Sequence, residues 1–334
     1  MVIKYVAFFI FLFFCAFSGH GQEKINVEVE SKHPYSSDKP LSEPTVFAPG
    51  IISTGDYEFA ADFSPDGKSI YFVKSTPDFS FWTMVSSQFE NNKWSEPQVM
   101  PFSGKYTDGD QFVTSDGKRI FFISARPLSI NASPAAPIRL RIWVTDRTEN
   151  GWSEPVNLGE PVNGDGSQYF PTLTKDGTLY FGSNRKGGNG GVDLYRSKFA
   201  NGKFLEPENL GDTINTKFDE YEPLIAPDER FLIFMANGRP DGLGGYDLFI
   251  SYNENGKWTK PENLGAPINS PADDFSPKIS PDGKYFFWTS NRRVIGLGKT
   301  TYRNYREMIN DYRNLQNGLG DIYYIDKSVL KIKR

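Results

Sequence analysis

An aspartate-centred turn recurs five times along this chain, and a short apolar strand follows it each time. The turns are Ser64-Pro65-Asp66-Gly67-Lys68, Ser115-Asp116-Gly117-Lys118, Lys175-Asp176-Gly177, Pro227-Asp228-Glu229-Arg230 and Ser280-Pro281-Asp282-Gly283-Lys284. Their aspartates stand 50, 60, 52 and 54 residues apart. Pro pre-sets φ, Asp caps its own backbone, and Gly takes the left-handed position that reverses the chain. The fourth copy has Glu229 in place of Gly, so it either turns differently or holds a strained residue. The runs that follow, such as Ile70-Tyr71-Phe72-Val73 and Tyr285-Phe286-Phe287-Trp288, are rich in β-formers.

A second motif keeps the same period: Trp94-Ser95-Glu96-Pro97, Trp152-Ser153-Glu154-Pro155, Phe204-Leu205-Glu206-Pro207 and Trp258-Thr259-Lys260-Pro261. Proline is tolerated on a sheet edge, so this motif marks the outermost strand of each unit. Another short strand lies between the two motifs, as at Trp82-Thr83-Met84-Val85 and Asp321-Ile322-Tyr323-Tyr324. Four strands per 50–60 residues, repeated radially, make propeller blades that bury their two apolar faces against each other. The expected fold is all-β, a five-bladed β-propeller with four antiparallel strands per blade. The fifth unit lacks its own Trp-x-x-Pro motif, and Leu41-Ser42-Glu43-Pro44 fits as its missing outer strand. The N-terminal strand then closes the ring and hides an edge.

The first 21 residues differ from the rest. Lys4 is their only charged side chain, Val6 to Phe17 is apolar, and Ser18, Gly19 and Gly21 follow. This pattern predicts a secretory signal peptide over 1–21, then a polar linker over 22–40 and one propeller domain over 41–334. An uncleaved anchor and a lipoprotein modified at Cys15 are the alternatives; Phe14 stands where lipoprotein signals carry a small residue. Cleavage removes the only cysteine and leaves His33 as the last histidine. No Ser-His or Cys-His pair and no Cys-based zinc site can then be built in the core. No cofactor or metal ion is expected. The net charge of −4 over the whole chain offers nothing to nucleic acid. The expected location is outside the cytoplasm, as a periplasmic, outer-membrane-associated or secreted monomer that does not span the membrane.

The pattern Asn209-Leu210-Gly211, Ile214-Asn215, Asp219-Glu220, Pro223, with Ser183-Asn184-Arg185 and Gly187 to Gly191 in the neighbouring blade, resembles the WD40-like repeats of TolB-type propellers. It is especially similar to exported propellers of the Bacteroidetes type. The resemblance covers about residues 41–326. It implies an exported, envelope-associated protein, and family members often serve as binding modules.

Two repeated polar features fall on the face opposite the aspartate turns, here called the upper face. Glu58, Asp108, Gln168, Glu220 and Asp274 each lie eight residues before a turn aspartate. Arg126, Arg185, Arg239 and Arg292, with Lys74, recur after the second strands. They form either a polar ligand site at the channel mouth or a set of structural carboxylate–arginine pairs, for which the planar arginine fork is suited. The Gly-rich stretches Gly187 to Gly191 and Gly242 to Gly245 read as tight loops rather than phosphate cradles.

Two insertions break the symmetry. Blade five has extra residues over 299–317, where Tyr305, Met308, Ile309, Tyr312 and Leu315 recur at helical spacing. They either pack a short helix on the propeller or form a lid or partner contact, with Tyr305, Arg306 and Tyr312 as contact residues. Blade two has a longer loop from Leu128 to Ile138. The expected function is a non-catalytic binding or scaffolding propeller, with an envelope protein, peptide or glycan on its upper face. The alternatives are a carboxylate-based glycoside hydrolase of the five-bladed type and a subunit of an envelope complex. The hydrolase needs two or three unpaired carboxylates with separated pKa values.

Overall fold

The computed structural model describes residues 33–37, 40–128, 139–293, 302 and 304–333. The expected signal peptide, most of the expected linker and most of the blade-two loop lie outside the described residues. From His33 onward the chain forms one compact unit.

That unit is a five-bladed β-propeller of antiparallel sheets. The innermost strands are Tyr57–Phe63, Asp108–Val113, Gln168–Leu173, Asp219–Ile225 and Asp274–Ile279. Each runs down the channel to its aspartate turn and pairs with a second strand, which pairs with a third. The turn chemistry is as expected: Ser64 Oγ donates to Asp66, whose carboxylate accepts the Lys68 N–H at 3.0 Å. Glu229 holds the strained conformation outright, with φ of 56°, and its carboxylate accepts the Tyr180 hydroxyl at 2.7 Å.

The outer strands differ from expectation by a few residues. Trp94, Trp152 and Trp258 close short hairpins with the third strand. After the proline, the edge proper forms at Gln98–Val99, Val156–Asn157, Glu208–Asn209 and Glu262–Asn263. Proline lacks the N–H needed in the ladder, so pairing resumes just beyond it. The closing strand obeys the same rule. Thr45–Val46, not Leu41–Pro44, pairs with Tyr324 and Tyr323 of the fifth blade. Leu41 still contributes, because its carbonyl accepts the Asp326 N–H at 2.7 Å. Upstream of it Tyr35 is buried against Phe47, Phe63, Tyr285 and Phe287, in the seam between blades five and one.

Every inner strand carries a β-bulge at the same height. The residue six before each turn aspartate has a left-handed backbone there: Ala60, Asp110, Phe170, Glu222 and Ser276. The bulge breaks the in–out alternation and turns a side chain and an N–H away from the sheet ladder. Neighbouring blades use these freed groups to hold each other.

The Gly-rich stretches are tight loops. A Cβ on Gly190 or Gly244 would overlap the carbonyl of Phe218 or Ala272 in the next crossing. Asp193 and Asp247, which start the third strands, accept N–H groups from these loops at 2.7–3.1 Å. In the insertion a helix forms at Tyr305–Tyr312, capped by Asn304, which accepts the Glu307 N–H. None of its residues is buried, and Tyr305 and Tyr312 are 73% and 51% exposed. It sits over Gly55, whose carbonyl accepts Asn317 Nδ2 at 2.9 Å.

Candidate functional site: carboxylates of the channel wall

The upper acidic ring is placed inside the blades. Glu58, Asp108, Gln168, Glu220 and Asp274 have no exposed surface. Asp108 pairs with Arg126 at 3.0 Å, Glu220 with Arg239 at 3.4 Å, Asp274 with Arg292 at 2.7 Å and Glu58 with Lys74 at 3.1 Å. Each partner belongs to the same blade. The acids also grip the crossing that arrives from the previous blade. Glu58 accepts the Thr54 N–H, Glu220 the Thr216 N–H and Asp274 the Ser270 N–H, at 2.6–2.9 Å, while Asp108 accepts the Ser103 hydroxyl. The arginines bind the same crossings: Arg126 donates to the Phe102 carbonyl, Arg185 to Val162 and Arg292 to Ile268. In blade three the ring position is Gln168, and Arg185 lies over the Phe181 and Tyr195 rings. Ring and arginines together anchor the crossings, and burial still raises the Glu58, Asp108 and Glu220 carboxyls against the pull of these partners.

Unpaired carboxylates lie one layer deeper, at the bulges. Asp110 and Glu222 are 4% and 8% exposed. Asp110 accepts the Phe170 N–H of blade three at 3.2 Å, and Glu222 the Ser276 N–H of blade five at 2.5 Å. Among the described residues neither has a lysine or arginine partner. Burial pushes the Asp110 carboxyl up to about 7. Burial and then the Asp110 charge push Glu222 well above the usual carboxylate range. Two buried acids that feel each other cannot both ionise near neutrality.

Above this pair stands a set of aromatic side chains. Phe59, Tyr169, Tyr221 and Phe275 stand immediately before the bulge residues, and Tyr57 and Tyr246 flank them. Gly109 takes the corresponding place in blade two, where the Trp82 ring fills the space instead. Burial first, and then Asp273 and Glu222 at Tyr57, Asp219 at Tyr221 and Asp110 at Tyr169, raise these hydroxyls, so the phenols stay protonated donors.

Below the pair, Asp62 binds Lys278 of blade five at 2.5 Å and accepts the Val113 N–H at 2.8 Å. These two residues form the roof of a cavity of about 1750 Å³ that opens among the aspartate turns. Asp110 and Glu222 do not line it.

Sequence reasoning missed Asp110, Glu222, Asp62 and Lys278. The signal was available in the register. Six residues before the turn aspartate the chain reads Ala, Asp, Phe, Glu and Ser, and only a non-repeating charge there departs from the repeat.

No family model matches the chain, and no curated protein matches it. The resemblance to TolB-type repeats therefore stands at the level of the propeller. Solved structures match the fold. An α-L-arabinofuranosidase from Lactobacillus brevis is 12% identical, with 82% of this chain and 91% of that one covered, at a TM-score of 0.44. The catalytic domain of an α-L-arabinofuranosidase from Coprinopsis cinerea is 14% identical, covering 89% and 97%, at 0.42. Hydrazine synthase from Kuenenia stuttgartiensis is 14% identical, covering 81% and 41%, at 0.47. The recurrence of arabinofuranosidases over most of the chain corrects the expectation of a non-catalytic binding or scaffolding propeller. At these identities the likeness is one of fold, so the chemical case rests on the channel carboxylates.

Proposed function

We propose that this protein is a carboxylate-based glycoside hydrolase whose reacting acids are Asp110 and Glu222. The observation that supports it is the pair itself: two buried carboxyl groups without a cationic partner among the described residues, both raised by burial and coupled to each other. Glycosidic cleavage needs one carboxyl that still holds its proton and one that has lost it. One carboxyl of the pair keeps its proton and donates it to the leaving oxygen, a part we assign to Glu222, on which both burial and the Asp110 charge act. Asp110, once ionised, faces the positive charge that develops at the anomeric carbon. The tyrosines above exclude bulk water and offer hydroxyl donors to a sugar.

The acids at this height also hold blades together, and that role alone does not require a charge. Two residues nearer the turn, in register with Asp62, the uncharged Thr172 hydroxyl joins blades three and four by donating to the Pro223 carbonyl at 2.6 Å. Burying a carboxylate without a cation costs several kcal/mol, about what a catalytic group would be worth keeping for. Of the expected partners, this reading keeps the glycan. The signal-like N-terminus and the TolB-type repeat resemblance support a location outside the cytoplasm.

A panel of 4-nitrophenyl glycosides, arabinofuranosides and xylosides included, tests the activity. Nitrophenol release from at least one member is expected, lowered about 10³-fold or more in Asp110→Asn, because nitrophenolate leaves with little help from an acid but still needs the carboxylate at the anomeric carbon. Release from none, or equal release by the variant, opposes the reading.

A further inference from the structure

Blade two departs from the repeat at the upper end of its third strand. In blade three Asp193 stands opposite Ser183, and Tyr195 opposite Asn209. The same places in blade two hold Arg141 opposite Ser124, and Trp143 opposite Asn157. The buried Asp193 carboxylate accepts three donors: Asn209 Nδ2 at 2.8 Å and the N–H groups of Asn189 and Gly190 at 2.7 and 2.9 Å. Blade four repeats the device with Asp247, which accepts the Leu243 and Gly244 N–H groups at 2.7 and 3.1 Å. Blade two has a guanidinium where these blades have a carboxylate.

The donors that such a carboxylate serves are still in place. Asn157 Oδ1 accepts the Gly159 N–H at 2.9 Å and Asn163 Nδ2 at 3.2 Å, as Asn209 Oδ1 accepts those of Gly211 and Asn215. These bonds fix the amide, so Asn157 Nδ2 is turned to the place that the Asp193 carboxylate fills in blade three. Asn157 Nδ2 and Trp143 Nε1 are both buried, and neither has a hydrogen-bond partner among the described residues. Trp143 as a whole is 8% exposed. Arg141 and Trp143 are two apart on one strand, and Asn157 is the cross-strand partner of Trp143. The three side chains therefore share one face of the sheet. A buried donor without an acceptor is costly, and this sheet keeps two of them side by side.

The charges around these donors are positive. Arg126 lies over the Trp143 ring, 5.3 Å from its centroid. Arg139 is exposed and Arg141 half-buried, and among the described residues no acidic side chain pairs with either. Residues 129–138, which lead into them, include no aspartate or glutamate. Asp108, the upper acid of this blade, is taken up by Arg126 and the Ser103 hydroxyl. A water molecule would satisfy the two donors and leave the charge, whereas an anion answers both. We infer that Arg141, Trp143 Nε1 and Asn157 Nδ2 form a binding site for the carboxylate group of an external ligand, seated where blades three and four carry a carboxylate of their own. A carboxylate fits a place that elsewhere holds the end of one aspartate side chain, and a guanidinium binds it through two parallel hydrogen bonds. Free small carboxylates and the uronic acid units of a glycan share this chemistry.

The site lies on the third and outer strands, not on the inner strands that carry Asp110 and Glu222, and it does not rest on the hydrolase reading. The indole N–H resonance of Trp143 in the isotope-labelled full chain, assigned by its loss in Trp143→Phe, reads it directly. Acetate, glucuronate, phosphate and glucose are titrated at constant ionic strength. A saturable shift with acetate or glucuronate is expected, with phosphate weaker than the better carboxylate by about tenfold or more and glucose without effect. Equal affinity for the two carboxylates marks a site for small carboxylates in general. Glucuronate tighter by about tenfold marks one for uronic acid units. Arg141→Gln should weaken binding by about tenfold or more. Arg141→Asp restores the arrangement of blade three and should abolish binding with no loss of melting temperature, which separates loss of the site from loss of the fold. No saturable shift with either carboxylate, an equal shift in Arg141→Asp, or tighter binding of phosphate overturns the inference.

Discussion

Asp110 and Thr172 serve successive blade junctions, and only one of them carries a titratable group. Its titration has a consequence for stability. The Asp110 carboxyl is raised from an ordinary 3.8 to about 7 in the folded protein. The native state thus holds a proton that the unfolded chain releases between about pH 4 and 7. The stability that goes with this proton is present below pH 4 and is lost as pH rises through 7. Each pH unit of the shift corresponds to about 1.4 kcal/mol, so the loss is of the order of a few kcal/mol. Asp321, also raised to about 7 by burial, acts in the same direction. Urea unfolding at pH 5 and pH 8 should show the wild type weakening across the interval. Asp110→Asn, which keeps an acceptor for the Phe170 N–H, should weaken markedly less. Equal slopes would mean that Asp110 is ionised throughout.

The most consequential element is the two-residue strand Thr45–Val46. It completes the fifth sheet, and Phe47 beside it is fully buried against Phe63, Trp94, Phe287 and Tyr324. Removing such a ring costs about 3–5 kcal/mol. Replacing residues 41–47 with Gly and Ser should therefore lower the melting temperature sharply. An unchanged melting temperature would count against closure by this strand. The strand was legible in the sequence only to within a few residues. Leu41-Ser42-Glu43-Pro44 repeats a motif whose paired part lies just after its proline. The burial of Tyr35 was not legible at all, since its segment carries no repeat. The helix was read correctly from its spacing. Its exposure was not, because an apolar stripe says nothing about which surface it meets.

At the scale of the whole molecule, the features that repeat proved to be architecture, and the two proposed acids lie where the pattern does not repeat. The turn aspartates, outer prolines, upper acids and arginines recur blade by blade, and each closes a turn, an edge or a crossing. That regularity made the fold legible. It also drew attention to Glu58, Asp108, Glu220 and Asp274, whose charges are spent on holding the crossings. Asp110 and Glu222 were hidden because their place is set by a bulge, and a bulge leaves no mark in a pattern of alternation. The central claim is that these two carboxyls cleave a glycosidic bond together. The pH dependence of kcat/KM tests it most directly. A bell is expected whose acidic limb lies near 7, its two limbs belonging to the coupled pair, and Asp110→Asn and Glu222→Gln should each remove a limb together with most of the rate. A profile that both substitutions leave unchanged would contradict it.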